Sequence, residues 1–176
     1  MGSKFEFFID GANKDKWEEA DWSELVDRFA ISYTDSEGLH YPPYPVAWPM
    51  DSDPAYERLE RCYAKAVSDM RKAGAPHATP EMVIVRFPVG TTLETRFRAA
   101  FARFFSDKLQ VLLINANFAE EAEDDDEIMG VLMHELLHAG LHGTDDPVLR
   151  NGHGTLWYRW ADILERKHGY DIIKSN

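Results

Sequence analysis

Residues 126–141 read DEIMGVLMHELLHAGL, and the spacing of the apolar residues in this stretch predicts one long amphipathic helix. Its predicted inward side chains are Ile128, Leu132, Leu136 and Ala139. The acidic residues at its start favour a helix N-terminus, and Gly143 is expected to end the helix. Two histidines therefore lie in the middle of a predicted helix.

The pentapeptide HELLH at positions 134–138 has the spacing of metal ligands. Histidines four residues apart lie on one helical face, so His134 and His138 can share a zinc ion with Glu135 beside it. Zinc acidifies water and polarises a carbonyl, and a neighbouring carboxylate can accept the proton. The motif predicts metal-assisted amide hydrolysis, with Zn²⁺ as the cofactor and Glu135 as the catalytic base.

A third ligand must come from beyond a turn. His142 lies eight residues along the same helix from His134, about 12 Å at 1.5 Å per residue, too far to share the ion. We expect it in the cleft or on the surface. The predicted third ligand is His153, because its flanking glycines allow the backbone to approach a metal closely. Glu165 on the last helix is a less favoured alternative, since acidic residues are common on helix exteriors.

The stretch HELLHAGLHGTDDPVLRNGHGTLWYRW, residues 134–160, resembles the SprT-like metallopeptidase domain, the family of the DNA–protein-crosslink protease Spartan. The resemblance implies a zincin fold over about residues 54–176. It also implies that His134, His138 and His153 bind zinc and that Glu135 is catalytic. The spacing between His138 and His153 agrees with that family.

The rest of this region predicts a small sheet packed on helices. A helix is expected over 54–73 with Gly74 as its end, and another from Thr155 to His168. Strands are predicted at 81–87, 94–105 and 108–118 as a meander, with a helix as the alternative for 94–105, and at 170–173. The acidic residues 120–127 are expected to form a solvated loop leading into the central helix. The predicted class is α+β, a single zincin-like domain with a mostly antiparallel sheet. In a zincin an edge strand, here 94–105 or 108–118, would hold substrate.

Residues 1–50 are predicted to be an N-terminal extension, and residues 51–176 the metallopeptidase domain. The extension begins with a strand-like KFEFFID, continues into a helix near residues 21–29, and ends in HYPPYPVAWP at positions 40–49. That last segment holds four of the nine prolines, so we expect an extended linker.

Composition restricts the compartment and the partners. With 176 residues and one cysteine, the chain suits one domain without internal disulfides, as in a cytoplasmic protein. No apolar run reaches membrane-spanning length, so no membrane partner is expected. The balance of 19 basic and 31 acidic residues gives a net charge of −12, which disfavours DNA binding. A small basic group leaves DNA contact open: Arg86, Arg96, Arg98, Arg103 and Lys108.

Two functions are therefore compared. The first is a zinc metalloendopeptidase that cleaves intracellular proteins, including DNA-associated ones. The second is a catalytically inactive zinc-containing interaction module whose partner surface uses the proline-rich segment, Trp17, Trp22 and Trp157. Structural zinc sites have four protein ligands, whereas the sequence offers three good ones, and this favours catalysis.

Overall fold

A computed structural model of the chain describes residues 53–85, 98–104, 109–144, 148–150 and 153–175. The predicted strand, helix and proline-rich linker of residues 1–50 lie outside the described residues, and so does the proposed boundary at position 50. The extension and its boundary stay predictions.

The described part of the chain contains four helices and five strands. The helices are α1 (Tyr56–Ala73), α2 (Ala116–Glu121), α3 (Asp125–Leu141) and α4 (Thr155–His168). The strands are β1 (Glu81–Val85), β2 (Ala99–Phe104), β3 (Leu109–Asn115), β4 (Val148–Arg150) and β5 (His153–Gly154). The α+β class is confirmed for these residues. None of these helices combines the length and the apolar character needed to cross a membrane.

The three-stranded sheet has the order β1-β3-β2, with β1 parallel and β2 antiparallel to β3. The predicted meander is therefore wrong, and the sheet is mixed rather than mostly antiparallel. Residues 111–114 of β3 are all buried, as a strand covered on both faces requires. This apolar strand takes the centre, whereas β2 lies at an edge. A separate antiparallel pair joins β4 to β5.

The predicted strand 108–118 ends earlier than expected, at Asn115. The Asn115 side chain accepts a hydrogen bond from the backbone N–H of Asn117 at 2.9 Å and caps helix α2. Glu120 and Glu121 consequently belong to a helix and not to the predicted acidic loop. An asparagine after an apolar strand was the available signal for this change.

Helix α1 begins after a turn made by Asp53, whose carboxylate accepts the N–H of Ala55 at 2.8 Å. Its end at Ala73 is confirmed, because Gly74 adopts the left-handed φ of 71° that glycine tolerates best. Its buried side chains are Leu59, Cys62, Ala66, Val67 and Met70. This face packs on α3, so α1 supports the helix that carries the HELLH motif.

Helix α3 is buried on every side over residues 128–137, beyond the single predicted stripe. Two glycines allow other backbone segments to touch it. A Cβ added at Gly130 would lie 2.3 Å from the Asp171 carbonyl oxygen, and one at Gly140 would lie 2.3 Å from the His77 nitrogen. Helix α3 is therefore the centre of the described domain, enclosed by α1, β2, α4 and the chain end.

The predicted strand at 170–173 is wrong: after α4 the chain runs on without regular structure. The Glu165 carboxylate accepts the N–H groups of Ile172 and Ile173, at 2.8 and 2.7 Å. These amides therefore bond a side chain and not a neighbouring strand. Residues 170–175, called the C-terminal segment below, lie against α3 at Gly130.

Candidate metal centre

Three histidines from two parts of the chain meet beside α3. His134 and His138 project from the helix, and β5 supplies His153. One nitrogen from each ring lies within 4.8 Å of the others, in an arrangement able to hold a metal ion. The closest pair is the Nε2 atoms of His134 and His153, 3.0 Å apart. The structure thus brings together the three histidines that the sequence singled out.

His134 is oriented by the C-terminal segment. Its Nδ1 lies 2.8 Å from the Ile172 carbonyl oxygen, which can only accept, so Nδ1 carries the proton. In a neutral ring this leaves the lone pair on Nε2, the atom that faces His153. Burial, the largest cause, lowers the pKa of His134 to about 4, with His153 adding to this effect and the Ile172 bond opposing it. The ring is neutral at pH 7.

The other two histidines are half-buried and also favour the neutral state. Burial lowers the pKa of His138 to about 4, and the neighbouring His134 and His153 add to this effect. Burial also lowers the pKa of His153. Neutral imidazole is the form that binds metals, so the three side chains are ready to coordinate a cation without first losing protons.

Trp157 forms an aromatic wall behind the three rings. It is 1% exposed, and its ring centroid lies 3.9 Å from that of His153 and 5.6 Å from that of His138. The indole N–H donates to the His134 carbonyl oxygen at 3.3 Å. Because Trp157 is buried, it is unavailable for the partner surface of the interaction-module hypothesis. Trp17 and Trp22 lie outside the described residues.

The donor set fits a small transition-metal cation. Zinc binds imidazole nitrogens at about 2.0–2.1 Å, which in a tetrahedron separates two ligand nitrogens by about 3.3 Å. The observed Nε2 pair at 3.0 Å and the limit of 4.8 Å for all three are close to that requirement. Imidazole also suits copper, iron and nickel, so the geometry identifies a metal-binding set and not one element.

The side chain of Glu135 extends from α3 to the edge of the sheet. It is 5% exposed, and its Oε2 accepts the backbone N–H of Phe101 at 2.8 Å. The Arg98 carbonyl oxygen accepts the N–H of Asn115, so residue 98 directs its backbone groups toward β3. In an antiparallel pair this direction alternates from one residue to the next, so the N–H of Phe101 points away from β3. The carboxylate therefore contacts the outer edge of β2.

The remaining predicted residues lie outside the histidine cluster. His142 follows the end of α3, half-buried, with its ring 6.4 Å from that of Phe101. Glu165, the alternative third ligand, bonds the backbone of the C-terminal segment instead. Sequence reasoning missed the Ile172 carbonyl and the Phe101 N–H, because backbone groups leave no residue-type signal. Trp157 did leave a residue-type signal, because a tryptophan only four residues after His153 can pack against its ring.

We compared the chain with known proteins. No protein-family model matches it, and neither a curated protein nor a solved structure does.

Proposed function

We propose that this protein is a zinc-dependent metalloendopeptidase that hydrolyses peptide bonds of protein substrates, of the SprT-like kind that its motif resembles. The observation that carries the proposal is the convergence of His134, His138 and His153 beside a helix that also bears Glu135. Two ligands and a carboxylate from one helix, with the third ligand after a loop, suit a hydrolytic zinc centre.

In this proposal the three histidines hold the ion, and Glu135 moves the proton. When bound, zinc polarises the scissile carbonyl and lowers the pKa of water. Glu135 accepts a proton from the attacking water as its oxygen bonds to the carbonyl carbon. The carboxyl group then gives that proton to the amine nitrogen as the C–N bond breaks. The Phe101 N–H, 2.8 Å from Oε2, holds the carboxylate in place for both transfers.

Strand β2 is the proposed support for the substrate backbone. Of the two candidate strands, β3 is paired on both sides, whereas β2 is at an edge of the described sheet. β2 also contacts α3, and Phe101 at its middle bonds Glu135. Because Glu135 already takes the Phe101 N–H, a substrate strand would pair with the other outward-facing backbone groups of β2 and so lie beside the proposed base.

Two features separate this proposal from an inactive interaction module. Among the described residues the cluster offers three ligands, whereas structural zinc sites have four protein ligands. A carboxylate also follows His134 directly in the helix. The net charge of −12 argues against DNA as a partner, so we expect proteolysis without DNA stimulation. Assays with and without DNA test that expectation.

The first experiment measures the metal itself. Purified protein dialysed against limiting zinc, and separately against an equimolar metal mixture, is analysed for bound elements. We expect about one zinc per chain in the wild type and much weaker binding in His153→Ala, which loses one of three ligands. His142→Ala is the matched control and should retain zinc. Absence of bound zinc in the wild type would overturn the proposal.

The second experiment separates catalysis from metal binding. Glu135→Gln preserves the size of the side chain and an acceptor for the Phe101 N–H, but removes the base. We expect zinc content unchanged and cleavage of a denatured protein substrate reduced by about 100-fold or more. Wild-type zinc binding with no cleavage of any protein substrate would favour the inactive module. Full cleavage by Glu135→Gln would exclude the proposed base.

A further inference from the structure

The C-terminal segment is held at its middle from two sides. On one side, a single oxygen of Glu165, Oε1, accepts both the Ile172 and the Ile173 N–H groups. On the other, the Ile172 carbonyl oxygen accepts from His134 Nδ1 at 2.8 Å. The peptide groups on either side of the Ile172 Cα atom are therefore fixed by two side chains from different helices.

Further contacts restrict the same carbonyl group. The Ser175 hydroxyl donates to it at 3.0 Å, and Ile172 itself is fully buried. Just before it, the Asp171 carbonyl oxygen approaches α3 so closely that only glycine fits at position 130. The segment has little room to move along α3, so the position of the Ile172 oxygen follows from the bonds that hold its neighbours.

Hydrogen bonds to the far nitrogen of a histidine ligand determine its tautomer and its ring direction. Here the Ile172 oxygen keeps the proton on Nδ1 of His134 and so presents the Nε2 lone pair to the cluster. Glu165 does not touch the three rings, yet it bonds the N–H of the residue whose carbonyl directs one of them.

We propose that Glu165 is a positioning residue for the metal centre, acting through the backbone of Ile172 on His134. The inference rests on the proposed metal site. Helix α4 then serves the centre twice: Trp157 lies in its first turn, directly after the β5 strand that carries His153, and Glu165 in its last turn holds the segment that orients His134. The residue that the sequence offered as an alternative ligand supports the site from a distance.

The test compares three full-length variants by metal affinity and by spectroscopy. Glu165→Ala removes the acceptor, and Glu165→Gln keeps a weaker, neutral acceptor. Asp162→Ala is the matched control, because Asp162 is an acidic residue of the same helix that pairs with Arg166 at 3.2 Å. Zinc affinity is measured by competition with a chromophoric chelator, under conditions where circular dichroism shows each variant folded. Cobalt-loaded samples report ligand geometry through visible absorption.

We expect zinc affinity to fall by about 10- to 100-fold in Glu165→Ala, by less in Glu165→Gln, and to stay unchanged in Asp162→Ala. The cobalt spectrum of saturated Glu165→Ala should change as well, which simple destabilisation would not cause. If Glu165→Ala does not fold, the graded loss in Glu165→Gln carries the test.

Two outcomes overturn the inference in different ways. Wild-type affinity and an unaltered cobalt spectrum in both Glu165 variants would remove Glu165 from the metal centre and leave the proposed function standing. A wild type that binds neither zinc nor cobalt would remove the metal site itself, and the positioning role with it.

Discussion

At the scale of single residues, His134 is both a buried residue of α3 and a member of the histidine cluster. It is 3% exposed, its Nδ1 bonds the Ile172 carbonyl, and its Nε2 faces His153. Burial penalises the charged form of an imidazole, so protonating this ring without a bound cation destabilises the folded state. We therefore expect this environment to make the metal-free protein sensitive to acid.

We therefore predict that the metal-free protein loses stability between pH 7 and pH 5. The pKa of His134 is about 4 when folded and about 6.5 when unfolded, so below pH 6.5 the unfolded state binds more protons. His134 alone should cost on the order of 2 kcal/mol at pH 5. Urea unfolding with a chelator present, at both pH values, measures the loss.

His134→Asn is the matched control for this prediction. An asparagine amide can donate to the Ile172 carbonyl, but it does not titrate. The loss between pH 7 and pH 5 should be smaller in the variant, with the remainder due to His138 and other groups. Parallel losses in the two proteins would show that His134 is not the group responsible.

At the scale of elements, Arg58 makes more contacts between helix α1 and helix α3 than the nearby Arg61 does. Arg58 donates to Asp125 at 2.8 Å and to the carbonyl oxygens of Ala119 and Ala122 at 2.9 and 3.0 Å. Arg61 reaches only the other oxygen of Asp125, at 3.1 Å, and its side chain is 63% exposed. One guanidinium thus joins α1, the end of α2 and the start of α3.

We predict that Arg58→Ala lowers the free energy of unfolding by about 1–3 kcal/mol, because partly buried acceptors lose their donor. The matched change Arg61→Ala should cost less than about 0.5 kcal/mol, as is usual for an exposed ion pair. Denaturant titrations at pH 7 compare the two. Equal effects would mean that the guanidinium contacts of Arg58 do not hold the helices together.

Helix α3 also offers a matched pair of glycines for separating stability from metal binding. An added Cβ would meet the Asp171 carbonyl oxygen at position 130 and the His77 backbone nitrogen at position 140, both at 2.3 Å. Each contact is with backbone, so a neighbouring segment must move. Only the first contact lies next to Ile172, whose carbonyl directs His134.

We predict that Gly130→Ala and Gly140→Ala each destabilise the fold by about 1–3 kcal/mol, as overpacking does, although alanine favours helices. Zinc affinity should fall in Gly130→Ala and stay near wild type in Gly140→Ala. Thermal unfolding and chelator competition measure the two effects. A loss of zinc affinity in Gly140→Ala alone would contradict the role given to the C-terminal segment.

At the scale of the whole molecule, the metal centre would join parts of the chain that are distant in sequence. Two of the three clustered histidines lie on α3 and the third on β5, ahead of α4. A cation held by all three binds the folded state and not the separated elements, so binding and stability are linked.

We predict that zinc raises the thermal midpoint and that a chelator lowers it. With free zinc at 100 times its dissociation constant, the gain in unfolding free energy is about 2.7 kcal/mol. His153→Ala should show a much smaller zinc-dependent shift, because its site loses the ligand from β5. Identical wild-type midpoints with zinc and with chelator would contradict the linkage.

Local features of this protein could be predicted from the order of its amino acids alone. The helix of the HELLH motif, its acidic start and the glycine that ends α1 follow from residue spacing and from backbone preferences within a few positions. His153 could be predicted as the third histidine of the cluster because its flanking glycines are also a local signal. Hydrophobic periodicity, capping and backbone steric limits act over short distances, so a linear pattern records them.

Which distant groups meet depended instead on tertiary packing. It put β3 between β1 and β2, ended the predicted strand at Asn115, and gave Glu165 the backbone of Ile172 as its partner. It also placed the Ile172 carbonyl oxygen within hydrogen-bonding distance of His134 Nδ1. Every residue carries the same backbone donor and acceptor, and strand order follows from the burial of competing apolar surfaces. Such choices depend on the packing of the whole chain, and residue type at one position does not encode them.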